Sequence, residues 1–456
     1  MIKIKVKKII LAFSLVLYVM TSSLGQVVSA EDNASSGGMV EATAEYPSEP
    51  DIYGKSAILI DADTGAILYE KNSYDKMYPA SITKIMTGLL AVENCSLGEM
   101  VTYSANAINS IPYDASRYGV VPGEMVTLRD SLYMLILCSA NEVAIGLAEH
   151  VAGTEEEFAK MMTERAKEAG ALNTNFVNAS GLHDDNHYTT AYDMAMITKE
   201  ALKNPSFAQV LSSNTYWISP TNKVATENQI WHTHRMLVNT RADYYQYAKG
   251  GKTGYTDQAG RTLVTFASKD GMNLICVVLM SDTENVCNDT KRLFEYGFNN
   301  FKKVNASSDE TRFGQSHDSY FIANKELFQY SGQLLQLSSD YITIPKDATL
   351  SQMGYYIDYD VSEADDTIAY IRYYIGNHFL GKATLMLNTQ TDKVMELLPD
   401  KQNETATDVM SDELPINIWW ILGGVVAVIG VVVIGIMFQK TKIKRKIKKE
   451  RKKLFK

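Results

Sequence analysis

The sequence predicts an α/β fold: a mixed antiparallel sheet with flanking helices and a helical insertion, then a small all-β domain and a C-terminal transmembrane helix. Three observations carry this expectation. Two short strand patterns open the ordered chain, a long helical stretch follows, and three further strands end in a helix, the order of a sheet interrupted by an insertion. After Asn305 the texture changes to short strands between polar turns. Residues 416–438 are almost uninterrupted Ile, Val, Gly and Ala, with Trp419 and Trp420 at the outer edge, long enough to span hydrocarbon.

Taken in order, residues 1–30 place Lys3, Lys5, Lys7 and Lys8 before an apolar run and close on Val28-Ser29-Ala30, the pattern of a secretory signal. Residues 31–50 lack periodicity and read as a flexible leader. The first domain covers 51–302. Residues 56–60 form a strand, Asp61-Ala62-Asp63-Thr64-Gly65 a turn, and 66–70 the returning strand. Pro79 sets a dihedral suited to a helix start, and Ile82, Ile85, Met86, Leu89 and Leu90 recur at helical spacing. Ser81 then falls in the first turn, with Lys84 on the same face. Leu128, Leu132, Leu135 and Ile136 mark a second helix, Ile145, Leu147 and Ala148 a third, and helical pattern continues to Ala171. A turn-rich stretch at 178–188 precedes a helix at 193–202. Residues 247–255, 260–268 and 273–280 are three consecutive strands, and 290–299 is the closing helix. The second domain, 306–396, has strands at 321–323, 341–344, 354–359, 367–374 and 382–387. A polar stalk (397–415) leads to the span (416–438). The tail, 439–456, carries 11 basic residues and one acid and is placed in the cytoplasm by the positive-inside tendency.

The formal charge of −9 hides an asymmetry. Without the signal and the tail, 29 basic residues face 52 acidic ones. Such a body does not suit nucleic acid or anionic lipid and argues for a small or neutral substrate. Cys95, Cys138, Cys276 and Cys287 include no C-x-x-C pair and form no metal pattern; three disulfide pairings are open, and Cys138 and Cys276 read as core thiols.

Ser81-Ile82-Thr83-Lys84 brings an amine to a hydroxyl at a helix start, where the dipole disfavours a cation and favours an oxyanion. Alone, S-x-x-K is a weak signal. Two further stretches raise it: Ser139-Ala140-Asn141 at a helix–helix junction and Lys252-Thr253-Gly254 within a strand, in the order found in penicillin-interacting serine enzymes.

With its surroundings (Asp61 to Gly65, Pro79 to Thr87, Ala148 to Gly153, Gly181-Leu182-His183, Thr190 to Met194 and Gly251 to Val264) the chain resembles the D-alanyl-D-alanine carboxypeptidases of peptidase family S11 over roughly residues 50–300. The resemblance implies a DD-peptidase/β-lactamase-like fold. It implies Ser81 as acylated nucleophile, Lys84 as proton acceptor, Ser139 as relay and Asn141 as holder of the substrate amide. Lys252 and Thr253 would bind the terminal carboxylate, with the N–H groups of Ser81 and Tyr255 as oxyanion hole. Implied partners are a peptidoglycan stem peptide ending in D-Ala-D-Ala, β-lactams as inhibitors, and the membrane through the C-terminal helix; no metal or organic cofactor is needed. Ser281-Asp282-Thr283 departs from members that carry an arginine there, leaving Arg261 as a substitute second cation. Three readings compete with this one. A β-lactamase would use Glu200 and Asn204, which match an E-x-x-x-N spacing in a helical pattern. A membrane-bound β-lactam sensor would need an effector domain larger than the tail. An idle wall-binding module is opposed by the intact motifs. His232 and His234 lack a third spaced ligand and read as loop or surface residues, and His183 and His187 as structural.

Overall fold

The computed structural model of the chain describes residues 40–312, 335–358 and 367–387. The signal at 1–30, the strand at 321–323, the stalk, the span and the tail lie outside these residues. Among the described residues, no helix is long and apolar enough to cross a membrane.

Strands β1 (Ser56–Asp61) and β2 (Ile67–Lys71) form a hairpin around Gly65, whose φ of 75° suits a glycine turn. Within the insertion, β3 (Met100–Thr102) pairs with β4 (Met125–Thr127), and β5 (Thr215–Ile218) with β6 (Asn228–Trp231). Then β7 (Ala248–Thr256), β8 (Gly260–Lys269) and β9 (Met272–Ser281) complete a five-stranded antiparallel sheet in the order β2-β1-β9-β8-β7.

Alternation explains why these strands are apolar on both faces. Ile58, Ile60, Ile275, Val277 and Leu279 face the helical insertion, packing with Ile85, Leu89 and Leu135. The intervening Ala57, Leu59, Leu274, Cys276 and Val278 meet Leu293 and Phe294 of the Asn285–Asn300 helix on the other side. The predicted helices occur as Lys84–Asn94, Leu128–Leu137, Asn141–Ala152, Glu155–Glu168 and Ala191–Leu202.

Some elements escape the sequence reading. The two short ribbons lie in stretches without clear alternation, and the Pro205–Leu211 helix is too short for a periodic signal, although Asn204 caps it through Ser206 and Phe207 N–H. Residues 40–50 are not a free leader. Val40 exchanges backbone hydrogen bonds with Tyr355, Tyr46 stacks on His378 at 3.7 Å, and the Tyr46 hydroxyl donates to the Leu68 carbonyl. Long-range partners of this kind leave no local pattern.

After the five-stranded sheet, β10 (Phe301–Asn305) precedes β11 (Leu335–Leu337) and pairs with β12 (Tyr341–Pro345). Strands β13 (Gly354–Asp358), β14 (Thr367–Ile375) and β15 (His378–Leu387) join β11 in the order β11-β15-β14-β13. Ile342, Ile344, Leu350, Ile371, Tyr373 and Leu380 fill this core. The Asp61–Gly65 turn meets β10 and β12, with the Thr343 hydroxyl donating to Asp61 Oδ2 at 2.9 Å and Lys303 paired with Asp63.

Candidate active site

Pro79 carries the chain into a 3-10 turn, Ala80–Thr83, that runs on into the Lys84–Asn94 helix. Ser81 therefore lies one turn before the α-helix proper, and Lys84 begins it. Ala80 holds φ of +50°, a strained conformation for an alanine. Three contacts fix it. Thr262 Oγ1 on β8 donates to the Pro79 carbonyl at 2.8 Å. Gly254 on β7 lies so close that a Cβ there would sit 2.9 Å from Ser81 N. Gly181, itself at φ of +81°, packs on Ala80, and a Cβ would fall 1.9 Å from its carbonyl oxygen. Gly181→Ala is accordingly expected to destabilise the fold by about 2 kcal/mol or more, because it adds both backbone strain and a clash. Thermal unfolding checks this, and an unchanged melting temperature would show that the segment yields freely.

The second strained residue is Ser139, at φ of +58° between the Leu128–Leu137 and Asn141–Ala152 helices. The left-handed turn leaves Ser139 and Asn141 on one cleft with Ser81 and Lys84.

Lys84 is fully buried, and its Nζ lies 3.0 Å from Ser81 Oγ, 2.7 Å from Asn141 Oδ1 and 2.6 Å from the Ser180 carbonyl. The last two atoms only accept hydrogen bonds. An uncharged amine has two N–H groups and one lone pair, so donating to both acceptors leaves the lone pair for the Ser81 hydroxyl. Burial, and then the facing Lys252, hold the Lys84 pKa well below the usual lysine range, which favours that uncharged form.

Asn141 is fixed from its other end, since its Nδ2 donates to the Ser116 carbonyl at 3.0 Å. Glu142 accepts from Tyr118 and Gly119 N–H and so holds the same loop. Glu142 is a residue the motif reading missed, although it follows Asn141 directly.

From the sheet side, Lys252 Nζ donates to Ser139 Oγ at 3.0 Å and to the Thr253 carbonyl at 2.7 Å. Burial brings its pKa down to about 7. Thr253 Oγ1 is 3.2 Å from Thr233 Oγ1. Tyr255 stands exposed at the rim, its hydroxyl donating to Asp257, with the Arg261 guanidinium 4.5 Å from its ring centre. The structure thus gathers Ser81, Lys84, Ser139 and Asn141 with Lys252; Thr253 and Tyr255 follow along β7. Thr253 and Arg261 line a cavity of about 190 Å³ beside them.

Other sequence candidates resolve differently. His187 is structural: its Nδ1 accepts from Val177 N–H, so Nε2 donates to Thr83 Oγ1 at 2.9 Å, and burial lowers its pKa to about 4. His183 packs edge-on against Tyr78. His232 and His234 are buried rather than surface residues; His234 is 2.9 Å from Thr265 Oγ1, and burial depresses both pKa values, that of His234 to about 3. Both lie in a loop, as the sequence suggests, with Thr233 exposed between them. Glu200 is bound to Arg165 and Lys203, and Asn204 is a helix cap. All four cysteines are free thiols; Cys276 is buried in the core, and Cys138 is partly buried and packs against it.

A family model described as D-alanyl-D-alanine carboxypeptidase, peptidase S11, matches residues 43–283. The chain belongs to this family. Among relatives, D-alanyl-D-alanine carboxypeptidase DacF of Bacillus subtilis is 35% identical over 255 residues, covering 54% of this chain and 63% of that protein, so the match spans less than two thirds of the relative. DacC of Escherichia coli is 31% identical over 282 residues, 60% of this chain and 67% of its own. Among solved structures, penicillin binding protein 5 from Haemophilus influenzae aligns with a TM-score of 0.58 and 26% identity, covering 75% of this chain and 98% of that one. The S11 match spans every candidate residue from Ser81 to Tyr255.

Proposed function

We propose that this S11 chain is a serine D-Ala-D-Ala carboxypeptidase that removes the terminal D-alanine from peptidoglycan stem peptides. One observation carries the reading: the buried Lys84 amine lies 3.0 Å from Ser81 Oγ and has two obligate acceptors to take its N–H groups. In this mechanism Lys84 takes the Ser81 proton as Oγ attacks the penultimate D-alanine carbonyl. The oxyanion forms against the Ser81 and Tyr255 N–H groups, where Gly254 lets the strand approach. Ser139, held by Lys252, passes a proton to the departing amine. Asn141 holds the substrate amide and orients Lys84. Water then cleaves the ester by the reverse route.

Protonated Lys252, with Thr253, receives the terminal carboxylate, and Arg261 at the same cavity supplies the second cation. β-Lactams acylate Ser81 in place of the peptide. The β-lactamase reading loses its deacylating carboxylate, because Glu200 is committed to Arg165 and Lys203. We place the protein outside the cell, anchored by 416–438 with the basic tail in the cytoplasm.

Mass spectrometry of a pentapeptide stem incubated with the enzyme should show loss of one terminal D-alanine; an intact peptide, or cleavage elsewhere, rejects the assignment. Lys252→Ala should lower kcat/KM on carboxylate-bearing peptides at least about tenfold more than on a C-terminally amidated analogue. Equal losses on both would remove Lys252 from carboxylate recognition.

A further inference from the structure

Away from the cleft, two helix ends meet. The Lys84–Asn94 helix stops at Cys95, its extended C-cap, and the Asn141–Ala152 helix carries His150 in its last turn. These helices start at Lys84 and Asn141, whose side chains touch at 2.7 Å. With 11 and 12 residues they are nearly the same length, so a pair joined at its starts also comes together at its ends. There the Cys95 Sγ, a Glu99 carboxylate oxygen and a His150 ring nitrogen all lie within 4.8 Å of one another. His150 Nε2 is 2.9 Å from Glu99 Oε1, and the other Glu99 oxygen accepts from Ser96 N–H. The His150 side chain is 20% exposed and that of Glu99 44%, so one side opens to water.

We propose that Cys95, Glu99 and His150 bind a zinc ion that fastens together the far ends of the two helices carrying Lys84 and Asn141. A thiolate, an imidazole and a carboxylate are the donor set zinc prefers, whereas calcium and magnesium take oxygen ligands. Tetrahedral zinc holds such donors roughly 3.3–3.7 Å apart, so side-chain rotations close the site without moving backbone. The fourth position faces solvent. Both helix C-termini end here, and their aligned carbonyl dipoles favour a cation. No sequence spacing reveals the set, because His150 lies 51 residues beyond Glu99 and meets it only through the parallel helix pair. The ion has no part in acyl transfer; it braces the frame on which that chemistry is built.

The test uses the full chain in detergent, stripped with a chelator and kept reduced with a non-chelating phosphine. Cobalt(II) is titrated as a spectroscopic probe and zinc is titrated against a chromogenic chelator. The expected result is one equivalent bound, a thiolate-to-cobalt charge-transfer band, and zinc affinity reduced at least about tenfold in both Cys95→Ser and His150→Gln. Both variants should keep wild-type acylation by a fluorescent penicillin without metal, which shows that they are folded. Absence of the charge-transfer band in the wild type would overturn the proposal. So would its persistence in Cys95→Ser, which would place the metal on another thiol such as Cys138.

Discussion

Replacing Ser81 by alanine is expected to abolish both D-alanine release and covalent labelling by a fluorescent penicillin. Rate losses for a nucleophile that works as one unit with its base reach about 10⁴-fold or more, because the remaining residues cannot act without it. The structure makes the loss clean. Ser81 Oγ serves as a partner of Lys84 and supports no other element, so the variant should unfold at nearly the wild-type temperature. Persistent penicillin labelling of a well-folded Ser81→Ala protein would move the nucleophile elsewhere, with Ser139 the neighbour to examine.

The parts of this site that could be read in advance share a property: their chemistry travels with short local patterns. Ser81 to Lys84 spans one helical turn and the Lys252 strand is bounded by glycines; each is weak alone, and their order around Ser139-Ala140-Asn141, with the family resemblance it carries, is what marks them. What stayed hidden depends on contacts between distant segments. Nothing near Ala80 in the chain indicates a positive φ; Gly181 and Thr262, about a hundred and a hundred and eighty residues later, impose it. Likewise Ser116, Glu142 and the Ser180 carbonyl position Asn141 and Lys84 through atoms whose residue types carry no motif. His232 and His234 lie in a loop, one half of the loop-or-surface reading, but the fold buries both. The five-stranded sheet was legible because both its faces are apolar; the packed residues 40–50 were not, being held by Tyr355 and His378 far along the chain.

The largest effect separable from the nucleophile itself lies at Lys84. Lys84→Met keeps the buried stem and removes the amine, so acylation by substrate and by penicillin should fall about 10³–10⁴-fold, the upper range for a positioned base. Stability should acquire a different pH dependence. Burial forces the Lys84 pKa down on folding, so between that lowered value and the ordinary value of about 10.4 the unfolded chain binds a proton that the native protein does not. Wild-type stability therefore rises with pH across this window, by about 1.4 kcal/mol per pH unit for each such group. Below the lowered value, the cost of burying a lysine is present in full. Lys252, depressed to about 7, adds the same slope between about 7 and 10.4 and persists in the variant. Lys84→Met also leaves the Asn141 Oδ1 and Ser180 carbonyl acceptors without a donor, so the expected result is the pH dependence: relative to wild type, the variant is most stable at low pH and loses ground as pH approaches 10. Denaturant unfolding from pH 6 to 10 tests the sign. A stability difference from wild type that does not change with pH would mean that Lys84 is charged in the native site, and the lone pair assigned to Ser81 would not exist.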